Sequence, residues 1–314
     1  MIIVDFTKEW IPAAEQLAME NYREERQAVP ELKESPALPS LKKIAENGLG
    51  VAAVEGEELL GFLGAYGPWE PVFCTSNVRG IFSPIHAHGA KMRNRARIYQ
   101  RMYQSAAEKW VAAGATSHAI SLYAHDKAAQ EAFFTYGFGM RCMDLIRDLN
   151  VPSEEIAAQC SYVELPASRQ QELRLLRTAL SDHLAQSPCF MRESEEDLLR
   201  WLGKREMNPP RTFMAERDGR VVAYIEVTEA GENFAVNDSK TRNICGAYCL
   251  PECRGGNVAQ GLLFHVIDVF RAEGFERLGV DCESINPTAL HFWSKYFTAY
   301  THSVVRRIDE NAVR

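Results

Sequence analysis

Residues 250–263 read LPECRGGNVAQGLL. A proline, an arginine and two glycines separate the apolar run NICGAYCL (243–250) from NVAQGLLFHVIDVFRAEG (257–274), in which Leu, Val and Phe recur at helical spacing. A strand that turns through glycines into a helix leaves the first amides of that helix unpaired, with the positive end of its dipole behind them. The stretch is therefore expected to hold an anion. Gly255 and Gly256 permit close backbone approach and positive φ, and Asn257 is the next most tolerant residue. A glycine pair also serves any tight strand-to-helix turn, so a purely conformational reading stands beside this one. The third glycine of a dinucleotide fingerprint and the Gly-Lys-Ser/Thr of an ATP phosphate loop are absent, which disfavours those nucleotides.

Outward from this turn the second half has a readable order. Leu-spaced helices are expected over 167–184 and 193–202, and TFMAERDGRVVAYIEV forms a hairpin around Asp218-Gly219. Then come strand 243–250, the helix from 257, strand RLGVDCES, helix NPTALHFWSKYF and a last strand HSVVRRI. The first half repeats this order: MIIVDFTKEW as a first strand, helices within 7–48, a hairpin around Gly56, strand 79–83, helix 93–113, strand 116–123, helix 126–135 and strand 140–148. A shift of 160 carries Asp126 onto Asn286, Ala129 onto Ala289, Phe133 onto Trp293, and AAGA (112–115) onto AEGF (272–275), where a glycine ends each helix. Two copies are expected, 1–150 and 161–314, joined where periodicity lapses around Pro152.

Bulk composition agrees. At 314 residues two domains of ordinary size fit, and 46% hydrophobic with 25% charged residues describes a globular chain. No run of 18 apolar residues exists to span a membrane, and the N-terminus lacks the pattern of a secretory signal, so a cytoplasmic place is expected. A net charge of -7 argues against a nucleic-acid partner. Eight cysteines (74, 142, 160, 189, 245, 249, 253, 282) without a signal read as reduced thiols. Cys245 and Cys249, on one strand face, stand about 13 Å apart, too far to clamp one metal; with Cys253 they read as small buried hydrophobes.

Here the second half resembles the GNAT N-acetyltransferases. Their cofactor motif, Arg or Gln, two residues, Gly, one residue, Gly or Ala after a strand-Pro-Glu lead-in, is matched by Pro251, Glu252, Cys253, Arg254, Gly255, Gly256, Asn257, Val258 and Ala259. A later motif is matched by Asn286, Ala289, Phe292 and Trp293. The resemblance implies an α/β fold with a mixed sheet, present as two tandem acyl-CoA N-acyltransferase-like domains, and acetyl transfer from acetyl-CoA to an amine of a small molecule by direct attack. It implies that the amides of Gly255 to Ala259 hold the pyrophosphate, with Arg254 in the same motif. Backbone groups of Cys249 and the side chain of Asn286 would bond along the pantetheine arm, the acetyl group would lie between strands 243–250 and 277–283, and no metal is involved. Glu283 is the candidate base and Glu226 the second; Tyr248, Tyr296 or water is the acid.

Three departures qualify the match. Asn257 replaces the usual glycine. Trp293 replaces the usual tyrosine acid, and an indole N–H cannot protonate a thiolate at neutral pH, so Trp293 is expected to wall the acyl end of the pocket. The first copy has Phe133 at that position and SPIHAHGAKMRNRARIY in place of a glycine cradle, which implies loss of cofactor binding. There His86 and His88 are expected as loop or pocket residues, with zinc through His118 or His125 as the alternative, and Lys91, Arg93, Arg95 and Arg97 as a solvated face. A non-catalytic acyl-CoA sensor and a module without cofactor remain alternatives.

Overall fold

In the computed structural model all residues except 74, 155, 158, 159 and 314 are described; Cys74 of the eight cysteines lies outside the described residues. β1 (Ile2–Asp5) leads through α1 (Ile11–Ala28) and α2 (Lys42–Glu46) to the hairpin of β2 (Val51–Glu55) and β3 (Glu58–Leu63), which turns at Gly56 with φ +61°. β4 (Tyr66–Trp69), β5 (Gly80–Ser83), β6 (His88–Ala90), α3 (Arg95–Ala112), β7 (Ser117–Tyr123), α4 (Lys127–Thr135) and β8 (Gly139–Asp148) follow. The second copy runs β9 (Ser161–Glu164), α5 (Arg174–Ala185), α6 (Glu195–Met207), β10 (Arg211–Arg217), β11 (Arg220–Thr228) and β12 (Thr241–Cys249). It ends with α7 (Val258–Ala272), β13 (Arg277–Glu283), α8 (Pro287–Trp293), β14 (Thr298–Ala299) and β15 (Thr301–Arg307). The helix expected from 167 begins as a 3-10 segment, Ala167–Leu173.

Local chemistry repeats with the elements. Adding 160 to the bounds of β7 (117–123) gives those of β13 (277–283), and the end of α3 (112) gives the end of α7 (272). Gly114 (φ +85°) and Gly274 (φ +84°) close those two helices in the left-handed region that a side chain disfavours. Asp126 caps α4 by accepting the Ala129 N–H at 3.0 Å, and Asn286 caps α8 by accepting the Ala289 N–H at 3.3 Å. Asp218 and Gly219, both at positive φ, make the tight turn between β10 and β11.

Compactness groups residues 1–144, 233–235 and 298–314 into one unit, and 145–232 with 236–297 into a second. In the first unit β1-β2-β3-β6 form one sheet, and β4-β5-β7-β15-β8 follow one another in another. β15 runs antiparallel to β7 without a break, from Thr301↔Tyr123 to Arg307↔Ser117. In the second unit the order is β9-β10-β11-β12-β13, with the part of β8 from Leu145 onward beside β13. The compact units differ in extent from the sequence copies 1–150 and 161–314, since β15 joins the first unit and the end of β8 from Leu145 joins the second. Two copies of one element offer equivalent pairing surfaces, so either can supply the ladder bonds.

The stretch between Pro84 and α3, expected as a long loop, contains β6. β5 pairs β7 and β6 pairs β3, so one strand is broken into halves serving two sheets, with Ala87 N–H turning back to the Pro84 carbonyl at 2.8 Å. In the second unit the corresponding β12 stays whole and pairs β11 and β13.

The first core gathers Tyr103, Trp110, Phe133 and Phe138. His118 lies among them, donating from Nε2 to the Ala115 carbonyl (3.2 Å) and receiving the Tyr103 hydroxyl at Nδ1 (2.9 Å). In the second unit Val258, Leu262, Val266 and Phe270 form the buried face of α7, with Phe270 edge-on to Phe213 and Phe275. Truncating such a phenylalanine to alanine costs about 3–5 kcal/mol. Among the described residues no helix is long and apolar enough to cross a membrane.

Candidate active site

β12 carries a bulge that shapes the site. Glu226 pairs Gly246 and Val227 pairs Ile244, which leaves Cys245 unopposed. A bulge bends its strand and ends pairing, and the parallel register with β13 stops at Ile244↔Val280 although the strands run on to Cys249 and Glu283. Leu250 N–H donates to the Val222 carbonyl at 2.9 Å. The antiparallel alternation then directs the backbone groups of Ala247 and Cys249 away from β11, to the edge that β13 has left.

Beyond β12 the chain turns through Pro251–Cys253 and the two glycines into α7. Gly255 has φ +78°, and a Cβ built on it would meet nothing within 4 Å. Of the glycine pair it alone needs the left-handed region, and Asn257, expected to share that tolerance, sits at φ -88°. The helix ladder begins with Gly261 N–H donating to the Asn257 carbonyl at 2.8 Å, so the N–H groups of Val258, Ala259 and Gln260 precede it.

These features border one cavity of about 480 Å³ within the second unit. Of the residues proposed from sequence, Tyr248, Cys249, Arg254, Gly255, Gly256, Asn257, Ala259, Asn286 and Trp293 line it. Val258 is buried and lies outside the lining, and Glu283, at the end of β13, lies outside it too. Trp293 is buried edge-on against Phe292 and Phe297 at the cavity wall. Arg254 lies over the Tyr248 ring, 5.1 Å from its centroid, and donates from Nε to the Cys249 carbonyl at 2.9 Å.

Glu226 has a different place from the one expected of a base. Its Oε1 accepts from Arg177 Nε at 3.0 Å and its Oε2 lies 3.1 Å from Arg205 Nη1, with Glu226 and Arg177 fully buried. Two guanidinium groups compensate one carboxylate, which suits anchoring α5 and α6 to the sheet. Arg205 also reaches the Cys245 thiol at 3.2 Å. Burial pushes the Cys249 thiol up to about 11, so it stays protonated and is a poor nucleophile at neutral pH. Among the described residues no three His, Cys, Asp or Glu side chains converge to hold a metal.

Sequence reasoning missed His183. It projects from α5 into the cavity, with Nε2 3.4 Å from Asn286 Oδ1 and its ring beside Tyr248. A histidine inside a Leu-spaced helix carries no local signal. Tyr296 also lines the cavity, and burial raises its hydroxyl above the usual tyrosine value, which keeps its proton in place at neutral pH.

The sequence model of the acetyltransferase (GNAT) family matches residues 177–297, the segment that builds this cavity. Those residues are similar to a GNAT acetyltransferase domain. Among solved structures, a GCN5-related N-acetyltransferase from Sphaerobacter thermophilus superposes with a TM-score of 0.60 at 12% identity, covering 98% of this chain and 95% of that one. A GCN5-related glucosamine N-acetyltransferase region of a fungal multi-domain GH3 β-N-acetylglucosaminidase superposes with a TM-score of 0.53 at 13% identity, over 97% of this chain and 38% of that one. At such identities the likeness is one of fold, and it extends over both GNAT-like copies. Among curated proteins none matches this chain in sequence.

Proposed function

We propose that the second unit transfers an acetyl group from acetyl-CoA to an amine of a small molecule, by direct attack and in the cytoplasm. One observation carries this reading: a single cavity joins the open edge of a bulged strand to a helix N-terminus with uncommitted amides. The residues present suit such a co-substrate. The amides of Val258 to Gln260 and the open space at Gly255 fit a diphosphate. The edge groups of Ala247 and Cys249 fit an amide-bearing arm, which shares the Cys249 carbonyl with Arg254 or displaces it.

Direct attack needs a group to take the ammonium proton and another to protonate the leaving thiolate. His183 is the base best supported by position, held between Asn286 and Tyr248. Tyr248 or Tyr296 supplies the acid, a role the indole of Trp293 cannot fill. Glu283 lacks the lining position that such a base requires.

Calorimetric titration with acetyl-CoA tests the binding step, and thiol release over a panel of amines tests transfer. Binding without thiol release on any amine favours a sensor, the reading that Trp293 and the doubly paired Glu226 support. Absence of binding removes both.

A further inference from the structure

Subtracting 160 carries the cavity of the second unit onto the first: Gly255 onto Arg95, Leu250 onto Ala90, Asn286 onto Asp126 and Glu283 onto Tyr123. There the chain's own side chains occupy the corresponding places. Arg95, expected on a solvated face, is 7% exposed. Its Nε donates to the Ala90 carbonyl at 3.0 Å, Nη1 to Glu24 at 2.7 Å and Asp126 at 3.3 Å, and Nη2 to Glu24 at 3.0 Å. Asn21 grips Ala90 from both sides, accepting its N–H at 2.9 Å and donating to its carbonyl at 3.2 Å. The strand edge at Ala90 is thus filled by Asn21 and Arg95, where in the second unit Arg254 reaches only the Cys249 carbonyl of the corresponding edge.

A cavity of about 260 Å³ remains beside this plug, too small for a nucleotide thioester. Glu25 lines it, 2% exposed, with Oε1 accepting from His125 Nδ1 at 2.8 Å and Oε2 from the His125 N–H at 3.0 Å. Tyr123 also lines it, 5% exposed, and its buried hydroxyl has no hydrogen-bond partner. A buried hydroxyl left unmatched costs about 1–3 kcal/mol, and so points to a partner that arrives from outside. Three carboxylates border the space, Glu24, Glu25 and Asp126, against two cations: Arg95, engaged by Glu24 and Asp126, and the exposed Lys127, which donates to the Ala124 carbonyl at 3.4 Å. Among the described residues neither Arg95 nor Lys127 pairs with Glu25, whose bonds go to His125, and burial raises its carboxyl above the usual range.

We infer that this cavity binds a compact primary ammonium compound, whose N–H groups bond the Glu25 carboxylate and the Tyr123 hydroxyl. A metal ion lacks its ligand set here, since among the described residues no three suitable side chains converge. An ammonium group needs only acceptors, and a quaternary ammonium, having no N–H, leaves both groups as they were.

The test is calorimetry on the full chain with methylammonium, ethanolamine and 1,4-diaminobutane, and with tetramethylammonium as the control of equal charge type. At least one primary ammonium is expected to bind at one site. Tyr123→Phe and Glu25→Gln are each expected to weaken it about tenfold or more, whereas Gly255→Ala leaves it unchanged. Tyr123→Phe removes a hydroxyl with no partner in the protein, so the unliganded variant keeps or gains thermal stability. No heat from any of the three, equal heat from tetramethylammonium, or unaltered affinity in Tyr123→Phe overturns the inference. The outcome is independent of acetyl-CoA binding, which is read with the other cavity.

Discussion

Arg254 Nε lies 2.9 Å from the carbonyl oxygen of Cys249. One side chain thereby ties the turn before α7 to the very strand edge that the bulge at Cys245 leaves open. A guanidinium there would add positive charge to the diphosphate site proposed above. Arg254→Ala is expected to weaken acetyl-CoA about tenfold, and Arg254→Lys by nearly as much, because an ammonium cannot fork between a carbonyl and a phosphate. Calorimetry at low and moderate salt checks both; an affinity unchanged in Arg254→Ala removes the residue from the site.

Gly255 stands at φ +78° with open space before it. Alanine there costs about 1 kcal/mol of backbone strain, or roughly 2–4 °C in melting temperature for a unit of this size. Acetyl-CoA affinity is expected to fall at least tenfold in the same variant, since the methyl would stand where the phosphates are proposed to approach. A melting point and a titration on one preparation separate the two effects.

Glu226 holds Arg177 in full burial. Glu226→Gln leaves that guanidinium without a counter-charge, at an expected cost of about 3–5 kcal/mol in urea unfolding. A loss below about 1 kcal/mol would contradict the anchoring role and return Glu226 to the list of candidate bases.

His88 and His118 are buried and bonded, His88 donating from Nε2 to the Ser121 carbonyl at 2.7 Å and accepting the Tyr99 hydroxyl at Nδ1. Burial lowers both imidazoles to about 4. The folded form stays neutral while the unfolded form takes up protons below the ordinary value of about 6.5. Stability is thus complete above that pH and declines as pH falls from about 6.5 towards 4, by at most about 1.4 kcal/mol per histidine per pH unit. Urea midpoints at pH 7.5 and 5 measure the decline, and His88→Gln is expected to flatten it.

β15 pairs β7 through seven registered residues. Ending the chain before Thr298 is expected to abolish amide-exchange protection over Ser117–Tyr123 in the first unit and to spare Arg277–Glu283. Loss confined to Arg277–Glu283 would restore a contiguous pairing of each copy.

The order of elements, the two copies and the helix caps were legible because each signal acts within a turn or two of chain. Glycines after Ala112 and Ala272, the capping Asp126 and Asn286, and the Asp218-Gly219 turn are decided by local dihedrals and nearest amides. Long-range partners were not. The same alternating pattern in residues 139–148 and 301–307 satisfies either copy's sheet, so composition cannot say which strand lies beside β7. Likewise His183 looks like one more helical residue until α5 docks, and Arg95 like a solvated cation until Glu24 and Asp126 close on it. The sequence by itself determined the GNAT-like order and the glycine turn that borders the cavity. Only the tertiary structure decided which strands pair and which strand edge the chain's own side chains fill, because those outcomes rest on contacts between residues distant in the chain, where burial and charge compensation outweigh local propensity.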